Sequence, residues 1–97
     1  MSDYIVKKDD VELLIEEKQN QIRTDLITQY IKARKEKHMT QEDLANELGV
    51  KRPNISRFEN GTYNPTLDML VKVAECMNMD LRIELVKRKE SGKDEKD

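Results

Sequence analysis

The sequence predicts a mainly α protein, a small helical bundle with an extra helix at its N-terminus and one β-strand near its C-terminus. Three observations carry this. Apolar residues recur at steps of three and four along most of the chain, Gly49, Pro53, Gly61 and Pro65 fall at the joints between such segments, and over residues 81–86 the period shortens to two. With 97 residues, 36% of them hydrophobic, and only three Tyr, one Phe and no Trp, the chain supports one modest core and therefore one domain with tails.

The first helix is expected from Asp10 to His38, where Val11, Leu14, Ile15, Ile22, Leu26, Ile27, Tyr30 and Ile31 share the helical period with no Gly or Pro between them. It reads as one long rod or as two pieces bent near Lys18 to Gln21. Val11, Leu14 and Ile15 are expected to pack on the chain's own domain or, as part of the acidic stretch Asp9 to Glu17, to meet a partner. Thr40 opens the next helix as N-cap, with Asp43 three residues on completing a capping-box pattern; Leu44, Ala45 and Leu48 form its apolar side and Gly49 stops it. A third helix starts at Arg52, since Pro53 is tolerated only in a first turn, and buries Ile55 and Phe58 before Asn60-Gly61 ends it. Thr66 caps a fourth, with Leu67, Leu70, Val71, Ala74 and Met77 on one side and Asn78 as a left-handed cap. Leu81, Ile83 and Leu85 then alternate with Arg82 and Glu84, the pattern of a half-buried strand. From Arg88 onward nothing apolar remains to bury, so a disordered tail is expected.

No apolar run approaches the roughly 20 residues that cross a bilayer, and residues 1–8 form no secretory signal, so a soluble cytoplasmic protein with no membrane contact is expected. Cys76 is the only cysteine and lies on an apolar stripe, which reads as a buried thiol; His38 is the only histidine and reads as a helix-end residue. No catalytic nucleophile with a base, metal-ligand set or Gly-rich phosphate loop is recognisable; neither enzyme activity nor a cofactor or metal is expected. The five Met read as core filler. Charged residues make up 39% of the chain and nearly cancel at −2, yet they are unevenly placed. Residues 1–20 hold three Lys against six Asp and Glu, whereas residues 21–62 hold eight Lys and Arg against six acids.

That basic excess coincides with two short helices joined by a Gly-containing turn, an arrangement that suits a reader of duplex DNA. The first helix of such a pair anchors on the backbone through its N-terminus, for which Thr40 and Gln41 are placed. The second enters the major groove, and Arg52, Asn54, Ser56 and Arg57 lie opposite its apolar Ile55 and Phe58. Lys35, Lys37 and Lys51 are candidates either for phosphate contact or for solubility alone.

The run Thr40-Gln41-Glu42-Asp43-Leu44-Ala45, then Leu48-Gly49-Val50, Ile55-Ser56-Arg57-Phe58-Glu59-Asn60-Gly61 and Asn64-Pro65-Thr66-Leu67, closely resembles the Cro and phage-repressor (XRE) helix-turn-helix family from about Ile22 to Met77. The resemblance implies a lambda-repressor-like bundle, with residues 1–21 an N-terminal helical extension, 22–78 the DNA-binding domain, 79–87 a dimerisation strand and 88–97 the tail. It implies base contacts from Arg52, Pro53, Ser56 and Arg57. Phosphate contacts are implied for Thr40, Gln41, Lys51, Asn54, Asn60 and Gly61, and a structural ion pair for Arg34 with Glu59. The sequence departs from the family at Lys51, where Ser or Thr usually caps the recognition helix, and at Pro53, which offers a base only apolar contact. The strand segment resembles that of HigA-type antitoxins, repressors encoded beside a RelE-like toxin. On that reading Leu81, Ile83 and Leu85 cover the core, and the strand's edge pairs with that of a second copy. The expected partners are a palindromic double-stranded operator, a second copy of the chain in a homodimer, and a RelE-like toxin. A stand-alone phage- or element-type repressor is the alternative.

Overall fold

The computed structural model describes residues 2–89, with side chains from residue 9 onward. Four helices follow one another: α1 Ser2–Glu36, α2 Gln41–Leu48, α3 Arg52–Asn60 and α4 Leu67–Cys76. The expected tail from residue 90 lies outside the described residues, while Arg88 and Lys89 are exposed and without secondary structure.

The local signals formed as the side chains dictate. Thr40 accepts from the Asp43 backbone N–H at 3.0 Å and its own N–H donates to Asp43 Oδ2 at 2.9 Å, so the capping box is closed on both sides. Gly49 then ends α2 at φ 74°, in the left-handed region where a side chain is strained. Thr66 caps α4 by accepting from the Met69 N–H at 3.0 Å. His38 and Asn78 both turn the chain at positive φ just beyond a helix end. Lys51 begins α3 with no side-chain cap, as its chemistry requires.

Every helix contributes to a single core. Ile27, Tyr30 and Ala33 of α1 meet Leu44 and Ala45 of α2, Ile55 and Phe58 of α3, and Leu70, Val73, Ala74 and Met77 of α4 and its cap. Tyr30 stands edge-on to Phe58 with ring centroids 5.3 Å apart, and its hydroxyl donates to the Leu70 carbonyl at 2.8 Å. Met77 fills the core with Met39 and Met69 beside it, but Met79 is exposed. Cys76 is half-buried; burial first, then the carboxylates of Glu47 and Glu75, push its thiol pKa up from 9.0 and keep it protonated near neutrality.

α1 is one uninterrupted helix, the long rod of the two alternatives, so the chain does not bend near Lys18 to Gln21. Three expectations are corrected, the first of them in α1. Among the described residues nothing covers its N-terminal half: Val11, Leu13, Leu14 and Ile15 are between 49% and 57% exposed, and Ile22, just beyond it, is 67% exposed. Shared period placed these residues on a face with Ile27 and Tyr30, but the globular part of the chain is too short to lie under all 35 residues of the helix. In α4, Leu67 and Val71 face outward, and Val73 takes the buried position that Val71 was expected to fill. Finally, no strand forms over residues 79–89. A ladder needs a second strand, and the described residues offer none. Leu81 packs against the core, whereas Ile83 and Leu85 are 66% and 103% exposed, so the latter two do not cover it.

Candidate nucleic-acid interface

Helices α2 and α3 form a rigid pair because each buries its apolar stripe, Leu44 with Ala45 and Ile55 with Phe58, in the same core. The turn between them is closed by the Val50 N–H donating to the Ala45 carbonyl at 3.0 Å. Burying Ile55 and Phe58 turns the opposite side of α3 outward. Lys51, Arg52, Pro53 and Arg57 are exposed there, with Asn54 and Ser56 half-buried beside them. The four residues nominated for base edges therefore lie on one accessible side of one helix.

Arg57 is held by its own helix, its Nη2 donating to Asn54 Oδ1 at 2.5 Å. Asn54 retains its amide N–H groups as donors. Thr40 uses its oxygen to cap α2 and keeps a hydroxyl proton to donate. At the far end of α3, Asn60 is exposed and Gly61 turns the chain at φ 72°, in the left-handed region that glycine adopts without strain. Lys35 and Lys37 are exposed at the end of α1 and just beyond it.

Arg34 and Glu59 meet as expected. Arg34 Nε donates to Glu59 Oε2 at 2.6 Å and Nη2 to Oε1 at 3.0 Å, a fork-on-fork pair whose side chains are only 9% and 6% exposed. Arg34 Nη1 donates to the Met39 carbonyl at 2.8 Å, so the guanidinium ties α1 to α3 and also to the turn before α2. Two contacts had no signature in the sequence. Gln41 Nε2 donates to Glu59 Oε1 at 2.9 Å, and Arg23 bridges Asn20 and Asn64 at 2.7 and 2.6 Å, joining α1 to the loop before α4. The partners in the longer-range contacts are 18 and 41 residues apart, beyond any local spacing rule. Among the described residues no three His, Cys, Asp or Glu gather as a metal site, and no helix is long and apolar enough to cross a membrane.

A pair of short helices of this geometry, with an outward polar and basic face on the second, defines a helix-turn-helix DNA-binding regulator. The chain belongs to the helix-turn-helix (HTH_3) family of XRE type, whose sequence pattern matches residues 31–83. It is similar to the ImmF control region 10 kDa protein of Bacillus phage phi105, at 42% identity over 52% of this chain and 56% of that protein. It is also similar to an uncharacterized HTH-type transcriptional regulator of Archaeoglobus fulgidus, at 46% identity over 42% of this chain and 58% of the relative. The chain thus spans less than two thirds of the length of these relatives. Among solved structures, a chain of a toxin-antitoxin module from Streptococcus pneumoniae superposes with a TM-score of 0.60 at 30% identity, covering 74% of this chain and 79% of that one.

Proposed function

We propose that this protein is a sequence-specific transcriptional repressor that binds a palindromic operator as a homodimer, and that it is the antitoxin of a type II pair, repressing its own operon and neutralising a RelE-like toxin. The observation that carries the antitoxin reading is the N-terminal half of α1. A helix-turn-helix has no use for it, yet it exposes Val11, Leu14 and Ile15 among the carboxylates of Asp9, Asp10, Glu12, Glu16 and Glu17. An aliphatic strip ringed by negative charge is repelled by DNA and fits an apolar groove on a basic protein. The likeness to a chain of a toxin-antitoxin module supports the same reading. Arg52, Pro53, Ser56 and Arg57 would read bases, with Thr40, Gln41, Lys51, Asn54, Asn60 and Gly61 on phosphates.

The likeness to a phage control-region protein favours the alternative, a stand-alone repressor of phage type. Expression of the neighbouring gene separates the two. On the antitoxin reading that gene encodes a small basic protein that arrests growth, and co-expression of this chain restores it. A harmless neighbour, with retained binding of this chain to its own promoter, leaves the stand-alone repressor.

A further inference from the structure

The carboxylate of Glu59 has more partners than an ion pair needs. Arg34 takes one lone pair from each of its oxygens, and Oε1 accepts a second donor, Gln41 Nε2, at 2.9 Å. Gln41 is the first residue of α2, half-buried, at the helix end nominated for the DNA backbone. The two ends of a primary amide have nearly the same shape but opposite hydrogen-bonding character, so a free glutamine presents either one outward. Only the NH2 end suits a phosphate. A carboxylate is an acceptor alone, so Glu59 admits the NH2 end and excludes the carbonyl. One hydrogen of Nε2 is thereby engaged, and among the described residues the second has no acceptor. Arg34 completes the device, because its guanidinium offsets a carboxylate charge that would otherwise face the polyanion.

We propose that Glu59 is a positioning residue of the DNA interface: through its hydrogen bond to Gln41 it presets that amide as a donor to a phosphate. The proposal rests on the DNA-binding reading and goes beyond a structural role for the Arg34–Glu59 pair. Holding one rotamer-rich side chain in its bound form is worth about two- to tenfold in affinity. Glu59→Gln also removes a negative charge, which by itself strengthens binding to any duplex, so the effect must be read as a coupling.

The experiment measures affinity for a random-sequence duplex, because a phosphate contact is indifferent to sequence. Wild type, Glu59→Gln, Gln41→Ala and the double variant form a cycle. Glu59→Gln should lose about two- to tenfold more affinity in the wild-type background than in the Gln41→Ala background. Equal changes in both backgrounds overturn the proposal. Wild type binding no duplex at all would instead remove the DNA-binding reading. If Glu59→Gln fails to fold, side-chain amide NMR of the free protein decides. The Gln41 NH2 resonances should be displaced from those of a solvated amide in wild type and return toward them in Glu59→Asp, whose carboxylate is one methylene shorter. Solvated-like Gln41 resonances in the wild type overturn the proposal.

Discussion

At the scale of single residues, the proposed interface separates contacts that would specify from contacts that would position. Arg57 is exposed on the outer side of α3, where its guanidinium can engage a guanine edge with two hydrogen bonds. Arg57→Ala should weaken operator binding by about 1–3 kcal/mol and flatten the preference at one base pair, measured against a set of singly substituted operators. Gln41→Ala should weaken binding to operator and random DNA alike. Equal losses on both DNAs for Arg57→Ala would remove it from base reading. In the core, Tyr30→Phe keeps the edge-on contact with Phe58 but loses the hydrogen bond to the Leu70 carbonyl, a cost of about 1 kcal/mol in chemical denaturation. Burial raises the Tyr30 pKa above 10.0, so its contribution is full below the unfolded pKa and is lost as pH rises through the folded one. Wild type should therefore lose more stability than Tyr30→Phe as the solution is taken above about pH 10.

Among the elements, α1 plays two parts. Its C-terminal half is a core helix, tied to α3 by the Arg34–Glu59 pair; removing either partner strands a charge with almost no solvent access and should cost as much as about 3–5 kcal/mol. Replacing both should be milder than replacing one. Melts of both single variants within a degree or so of wild type would show that the pair contributes little to stability. The N-terminal half has no such ties. A chain starting at residue 19 should lose helical ellipticity in proportion to the residues removed yet melt within a few degrees of wild type, because Val11, Leu14 and Ile15 contribute nothing to the core. A large fall in melting temperature would mean that they pack on it after all. On the antitoxin reading the same truncation abolishes toxin binding and leaves operator binding intact.

For the whole molecule, a palindromic operator requires two recognition helices roughly 34 Å apart, and one chain supplies one. In the proposed homodimer, Ile83, Leu85 and Val86, exposed in the single chain, are residues that a second copy would cover. A chain ending before Leu81, or carrying Ile83→Pro, should sediment as a monomer at micromolar concentration and lose tight operator binding while keeping its helical circular dichroism. A truncated chain that still sediments as a dimer would move the interface elsewhere, most simply to the exposed stripe of α1.

What the sequence determined by itself is whatever a residue settles with its near neighbours. The capping box of Thr40 with Asp43, the left-handed stops at Gly49 and Asn78, the start of α3 before Pro53 and the buried faces of α2 and α3 all depend on interactions within about one helical turn, and all formed. Tertiary structure decided everything that depends on whether a partner is within reach. Periodicity shows that Val11 and Ile27 suit one helical stripe, or that Leu81 and Ile83 suit one side of a strand, but not that the core extends under Ile27 and Leu81 and stops short of the others. The bond from Gln41 to Glu59 is of the same kind: two side chains with no local relation meet because the packing of α2 on α3 brings a lone donor to an acceptor with a lone pair to spare.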